Sequence, residues 1–182
     1  MKLCITLVTN KLFKLRNAMK KTYIHIDVSG DCFENDRIIS ISGMKIDKRN
    51  NIQDYFYEDI PAYTSPALNQ KYYFQNCKTD NLFISNTFRD KLTEFKNFII
   101  GTVVISHYKY YEIEFLRRAL KTAGLDMIKN DWVDLQENII VQNDFGGDIY
   151  DVAKKFKVDL GPNKNFFFVN ESIVDIHHRM MN

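Results

Sequence analysis

An aspartate at the end of an apolar strand is the feature of this sequence that most restricts its fold. Asp27 follows the apolar run at residues 23–26 and is followed directly by turn-forming residues. A second run, at residues 37–47, alternates in part between apolar and polar side chains, so the two runs predict a strand–turn–strand hairpin. Burying an acid at the end of a strand is costly unless a cation or hydrogen-bond donors compensate its charge. Asp27 is therefore a candidate site residue.

Length and composition favour one folded domain. The chain has 182 residues, of which 45% are hydrophobic and 14% aromatic, which is too apolar for a disordered protein. A single domain is expected over residues 22–182, preceded by a basic extension at residues 1–21. Alternatively, translation begins at Met19 and residues 1–18 have no role.

Cysteine content and the length of the apolar runs restrict the class of protein, whereas the net charge does not. The net charge of +2 argues neither for nor against a nucleic-acid partner. Cys4, Cys32 and Cys77 are odd in number and have no metal-binding spacing, so they predict a protein of the reducing cytoplasm. The longest apolar run is far shorter than a membrane span, and no membrane partner is expected.

Strands come first along the chain, and helices then alternate with the last two strands. Residues 61–86 are rich in turn formers and are expected to be irregular. After the hairpin, the patterns predict strands at 52–60, 102–106 and 131–135, and helices at 86–99, 109–122, 149–156 and 171–180. The expected fold is α/β, with a five-stranded mixed sheet flanked by helices.

The second candidate acid lies on the predicted helix 109–122. Glu112 sits at the edge of an apolar stripe, whereas Glu114 falls beside Arg117 and Arg118 and is most simply a solvated ion-pair residue. Periodicity alone leaves Glu112 open between a partly exposed carboxylate and a site residue.

The predicted hairpin resembles a known motif. Its sequence is similar to the opening of the 3'-5' exonuclease domains of the DEDD superfamily, the family of ribonuclease T and the proofreading epsilon subunits. Those domains carry apolar-D-x-E-T-T-G followed by D-R-I-I-x-I-x-x-x-K-I. Asp27 matches the aspartate, and Ser29 stands where the motif has glutamate.

Residues 104–116 resemble the second motif of the same family, apolar-apolar-x-H-N-x-x-F-D-x-x-F-L. His107 matches, Tyr108 replaces the asparagine, Tyr111 replaces phenylalanine, and Glu112 replaces the aspartate. Together with Lys109, the residues at this junction are candidates for stacking on bases and contacting phosphate. Packing in the core is the competing interpretation.

Residues 169–175 resemble the third motif, H-x-x-x-x-D. Asn170 stands where the motif has histidine, and Asp175 stands in the aspartate position. Taken alone, the pattern favours a surface acid paired with Arg179. The order of all three motifs along the chain is what carries the resemblance.

The resemblance implies a ribonuclease H-like fold and a site for two divalent metal ions, magnesium or manganese, held by four carboxylates. Asp27 would bridge both ions, Glu112 would be a longer version of the second-motif metal ligand, and Asp175 would bind one ion. Ser29 brings no charge to its ligand position. Asn170 would occupy the general-base position, but an amide cannot take up a proton near neutral pH.

The substitutions lead to three hypotheses. The first is a nucleic-acid-binding protein on an exonuclease fold whose catalysis is lost or strongly impaired. The second is an active metal-dependent 3'-5' exonuclease acting on DNA or RNA ends. The third is a protein-interaction module that retains only the fold. Rescue of catalysis would require carboxylates from the hairpin loop or an imidazole from the last helix; the candidates are Asp31, Glu34, Asp36 and His178.

Overall fold

The five predicted strands form one mixed sheet. A computed structural model describes residues 20–33, 35–60, 86–137, 149–159 and 166–181. The strands are β1 (Lys20–Val28), β2 (Ile38–Asp47), β3 (Ile52–Asp59), β4 (Val103–Ser106) and β5 (Trp132–Asp134), in the order β3-β2-β1-β4-β5. The α/β prediction is confirmed. Residues 1–19 of the expected extension and the expected irregular region at 61–85 lie outside the described residues, and Lys20 already belongs to β1.

Among the described residues, four helices flank the sheet. They are α1 (Asn86–Ile99), α2 (Lys109–Thr122), α3 (Ile149–Phe156) and α4 (Phe166–Met181). The first three match their predicted ranges, whereas α4 begins five residues before the predicted start at residue 171. The aromatic run at 166–168 has no helical alternation of apolar and polar residues, so periodicity could not place that start. Within the described ranges, none of the helices is long and apolar enough to cross a membrane.

The sheet separates two hydrophobic cores. One core lies between the sheet and helices α1 and α2, and includes Ile24, Ile41, Phe95 and Phe115. The other lies against α3 and α4, and includes Tyr23, Met44, Val152, Ile173 and Ile176. Because β1 is covered on both faces, its polar residues need specific partners.

Pairing ends at different points on the two sides of β1. The strand runs antiparallel to β2 along its whole length, but it pairs with β4 only as far as Tyr23, which lies opposite Ile105. A register shift between Asp27 and Val28 then ends the regular pairing with β2. The last part of β1, which contains His25 and Asp27, therefore extends beyond β4, at the edge where α2 begins.

Candidate active site

Polar residues line one face of the two central strands. Side chains alternate across a strand, so His25 and Asp27 lie on the same face of β1. Ser42 and Ser40 of β2 lie opposite them in the antiparallel register. The Ser40 hydroxyl donates to Asp27 Oδ2 at 2.8 Å, and the Ser42 hydroxyl donates to the His25 carbonyl at 3.2 Å.

The imidazole of His25 lies between the two candidate acids. Its Nε2 is 3.3 Å from Asp27 Oδ1, and its Nδ1 is 3.9 Å from Glu112 Oε1. The structure thus brings Asp27 and Glu112 to one site, as expected for the carboxylates of the first two motifs, but with a histidine between them. These three residues are called the His25 cluster below.

Asp27 is held in its charged form. Its side chain is 32% exposed, and this partial burial by itself opposes ionisation. The hydrogen bond from His25, the charge of that ring and the hydrogen bond from Ser40 outweigh burial and hold the pKa of Asp27 below its ordinary value.

Glu112 is the buried member of the cluster. Burial raises its pKa to about 7, although the charge of His25 and the nearby Ser106 hydroxyl and Ile26 N–H favour the ionised form. The Ile26 amide is free for this role because β4 no longer pairs with β1 at that point. Among the described residues, Glu112 Oε2 has no hydrogen-bond partner.

The two carboxylates in turn affect His25. Burial lowers the pKa of an imidazole, but the hydrogen bond to Asp27 and the charges of Glu112 and Asp27 together raise the pKa of His25 above its ordinary value. A histidine within an apolar strand is more often a packed core residue than a site residue, so the apolar pattern alone does not single out His25. The signal for its role was the i, i+2 spacing from Asp27 on one strand.

Asp134 fixes the start of α2. Its Oδ2 accepts the Lys109 N–H at 3.2 Å, and its Oδ1 accepts the Glu137 N–H at 2.9 Å, so one carboxylate joins the end of β5 to two helical N-termini. Burial raises the pKa of Asp134, and its charge in turn helps to raise that of Glu112. Asp134 thus positions the first turn of α2, from which Glu112 projects.

Ser29 is part of the turn between β1 and β2. Its hydroxyl donates to Asp36 Oδ1 at 2.8 Å and accepts the Arg37 N–H at 3.1 Å. The Asp36 carboxylate also folds against Gly30, where an added Cβ would lie 2.5 Å from Asp36 Oδ2. Asp31 accepts the Tyr111 hydroxyl at 2.9 Å. Both described acids suggested as replacement ligands are therefore engaged in loop structure, and Glu34 lies outside the described residues.

The last helix presents an amide to the sheet. Asn170 is buried, and its Nδ2 donates to Ser42 Oγ at 2.9 Å, directly across the strand pair from His25. Asp175 lies on an exposed face of α4. Its charge acts on His178, whose pKa is lowered by burial and by Lys21 and is partly restored by Asp175. Of these two third-motif residues, it is Asn170 that faces the site.

The junction of β4 and α2 carries the candidate nucleic-acid residues. His107 is buried, and its ring centroid is 4.5 Å from that of Tyr108 in an edge-on contact. Tyr108 is 40% exposed, whereas Lys109 is partly buried and its N–H is bound by Asp134. Tyr108 is therefore the most accessible of the three.

A further tyrosine lies beside the site on β3. Tyr57 is 47% exposed and stands opposite Ser42. Its hydroxyl donates to Asp59 Oδ1 at 2.7 Å, and desolvation, this bond and the charges of Asp59 and Asp27 raise the pKa of Tyr57 to about 12.

The residues do not fit a divalent metal ion as they are arranged. Magnesium requires about six oxygen ligands at 2.0–2.1 Å, so a shared ion would have to approach both acids closely. The His25 ring lies between Asp27 and Glu112 instead. In the parts of the chain that the structure describes, no three His, Cys, Asp or Glu side chains are grouped so that they could hold a metal ion.

The fold resembles solved nucleases. A full-length 3'-exonuclease matches with a TM-score of 0.65 at 14% identity, over 90% of this chain and 82% of the other. The fold is that of a ribonuclease H-like exonuclease. Exonuclease I of E. coli in complex with a dT13 oligonucleotide matches with a TM-score of 0.61 at 9% identity, over 89% of this chain and 40% of the other. A zinc-bound form of the E. coli exonuclease I complex with single-stranded DNA gives a TM-score of 0.61 at 9% identity, with the same coverage.

This chain therefore spans less than half of exonuclease I. Neither a protein-family model nor a curated protein matches its sequence. At these identities the comparisons establish the fold alone.

Proposed function

We propose that this protein binds single-stranded nucleic acid through an exonuclease fold whose 3'-5' exonuclease activity is lost or strongly impaired. The observation that carries the proposal is the position of Ser29 and the hydrogen bonds of its hydroxyl. It stands where the resembling motif has a metal-binding glutamate, and both hydrogen bonds of its hydroxyl tie it to Asp36 and Arg37 in the turn. This position therefore supplies no charge to a metal ion.

The last helix supports the same conclusion. Asn170 faces the sheet beside His25, and an amide cannot act as a general base near neutral pH. Asp175 is exposed. Loss of a general base alone costs roughly 10² to 10⁴ in rate, so an uncharged ligand position in addition leaves little activity.

Exposed aromatic residues next to the site support retained binding. Tyr108 at the start of α2 and Tyr57 on β3 are both at least 40% exposed, and each could stack on an unpaired base. The solved neighbour that holds a dT13 oligonucleotide favours single-stranded DNA as the first ligand to test.

Two measurements on the full chain test the proposal. Fluorescence anisotropy with labelled oligo-dT and oligo-U should give saturable binding that weakens with salt, since phosphate contacts release counterions. Gel analysis of the same strands with manganese should show slow shortening or none. Absence of strand binding would refute the proposal and favour a protein-interaction module.

One observation favours a second candidate, an active exonuclease that uses magnesium or manganese. The buried Oε2 of Glu112 has no hydrogen-bond partner among the described residues, and such an atom can receive a cation. Metal-dependent shortening of the strand that is abolished by Asp27→Ala would establish this candidate instead.

A further inference from the structure

The centre of the site is filled by a side chain of the protein itself. His25 directs one ring nitrogen to Asp27 Oδ1 and the other to Glu112 Oε1, at 3.3 Å and 3.9 Å. The two ring nitrogens point away from each other, so the carboxylate oxygens that they address lie on different sides of the ring. An ion bound to both acids would have to occupy the space that the ring fills.

We infer that His25 replaces a metal ion as the link between Asp27 and Glu112, and that this arrangement excludes divalent cations from the site. The inference rests on the proposed function, and it explains how the acids retained from the family can persist beside each other without metal. It makes His25 a second cause of the loss of metal binding, beside the replacement of the motif glutamate by Ser29.

Each carboxylate oxygen of Asp27 already has a partner in the protein. Oδ1 faces the His25 ring and Oδ2 accepts the Ser40 hydroxyl at 2.8 Å. A metal ion that took the acceptor site of either partner would have to displace it. Displacing Ser40 would leave a hydroxyl of a buried residue without that acceptor, which has a cost of its own.

The backbone of His25 is also held by Ser42 of β2 and, through it, by Asn170 of α4. Asn170 Nδ2 donates to Ser42 Oγ, and Ser42 Oγ donates to the His25 carbonyl, so a continuous chain of hydrogen bonds runs from α4 to β1. Both Asn170 and Ser42 are almost fully buried. These bonds hold the backbone of His25 in place. A shift of β1 that moved the ring away from the two acids would break them.

The charge of the His25 cluster also disfavours a pair of divalent ions. Two divalent ions bring four positive charges, whereas the carboxylates that face the ring are those of Asp27 and Glu112. Ser29 is uncharged, Asp134 accepts two backbone N–H groups, and Asp175 is exposed elsewhere on α4. One imidazole is a better match to two acids than a pair of metal ions.

Manganese titration of the full chain, without nucleic acid, tests the inference. Calorimetry and the electron paramagnetic resonance signal of free Mn²⁺ should reveal no saturable site in the native protein. His25→Ala should create one and bind Mn²⁺ at least about tenfold more tightly than the native protein. Adding Asp27→Asn to His25→Ala should remove the new site.

The matched control is His178→Ala, which removes a partly buried imidazole from α4 outside the cluster. It should leave Mn²⁺ binding unchanged. Saturable Mn²⁺ binding by the native protein that is lost on Asp27→Asn, or no gain in His25→Ala, would overturn the inference.

A second measurement does not depend on whether the variants fold. In the native protein, the NMR signal of the His25 ring should not be selectively broadened by Mn²⁺, and selective broadening would place the ion at the cluster and overturn the inference. Because these titrations contain no nucleic acid, failure of strand binding would refute the proposed function without deciding the metal result.

Discussion

His25 and Asp27 lie on the same face of β1, with the ring Nε2 3.3 Å from the carboxylate. Residues two apart on a strand share a face, so the pair forms without help from any distant part of the chain. Ser40 from the neighbouring strand and Glu112 from α2 then complete its surroundings. The carboxylate is therefore compensated by protein groups, and its removal has consequences for stability that can be measured.

Asp27→Asn is expected to destabilise the protein by about 1–2 kcal/mol at neutral pH, because an amide loses the charge that His25 and Ser40 favour. The value lies at the low end for charged hydrogen bonds since the carboxylate is partly screened by solvent. Urea unfolding measures the effect. Asp90→Asn, at an exposed position on α1, is the control and should change stability little. An increase in stability would mean that repulsion between the acids dominates.

The pKa of Glu112, raised to about 7, predicts a pH-dependent difference in stability. Between about pH 4.5 and 7 the folded protein retains a proton that the unfolded chain releases, so the native protein should lose stability relative to Glu112→Gln as pH rises. A shift of this size corresponds to at most on the order of 3 kcal/mol. His25, whose pKa is also raised, continues the loss above its ordinary value of 6.5.

The comparison must be made between variants, because His177 acts in the opposite direction. Burial lowers the pKa of His177 to about 3, and this group adds stability as pH rises toward its ordinary value. Unfolding curves at several pH values for the native protein, Glu112→Gln and the control Glu94→Gln, at an exposed position of α1, isolate the Glu112 effect. Equal pH dependence in all three would contradict a buried, protonated Glu112.

Gly43→Ala is expected to destabilise the sheet by about 1–3 kcal/mol through overpacking. A Cβ at this position of β2 would lie 2.8 Å from Cε1 of Phe98, a buried residue of α1. The ring would have to move, and the Lys45 ammonium lies over it at 4.4 Å from the centroid. Thermal unfolding measures the loss, and the double variant Gly43→Ala with Phe98→Leu should recover part of it.

Tyr108→Ala is expected to weaken binding of a labelled single strand about fivefold or more, because stacking of one base on an aromatic ring is worth about 1–3 kcal/mol. Tyr150→Ala is a matched control: Tyr150 is also 40% exposed but lies on α3, which carries none of the site residues. Fluorescence anisotropy compares the two. Equal losses would remove Tyr108 from the binding surface.

The native protein is expected to release 3'-terminal nucleotides slowly or not at all. Ser29→Glu together with Asn170→His should give manganese-dependent release only when His25→Ala is also present, since groups that act as one unit are strongly non-additive. Release from a 5'-labelled strand measures the rate in each variant. If the double variant were active with His25 intact, the imidazole of His25 would not be a cause of the lost catalysis.

The strands and most helices could be predicted from sequence because their signals are local. Alternation in the hairpin and the apolar stripe of Lys109–Thr122 are set by neighbouring residues, and the structure has both elements where expected. The start of α4 could not be placed, since its aromatic first turn has no helical period.

The site was harder to predict because it depends on tertiary contacts. The sequence left Glu112 undecided between exposure and a site role; its burial follows from where α2 meets the sheet, at the point where β4 stops pairing with β1. The role of His25 could not be predicted, since no local pattern reveals that a carboxylate far along the chain, that of Glu112, lies beside it. The inward orientation of Asn170 likewise depends on how α4 lies on β2.

The site is assembled from contacts of very different sequence separation, which has a consequence for how the protein folds. The Ser40–Asp27 bond joins residues 13 apart within one hairpin, whereas Asn170 and Ser42 are 128 apart. Contacts between nearby residues close small loops and form readily, while distant ones incur a larger entropic cost before they can contribute. We expect the hairpin to be structured early in folding, with Asp27 and His25 already adjacent. Helices α2 and α4 would join later, so a chain still emerging from synthesis would carry half of the site before the other half exists.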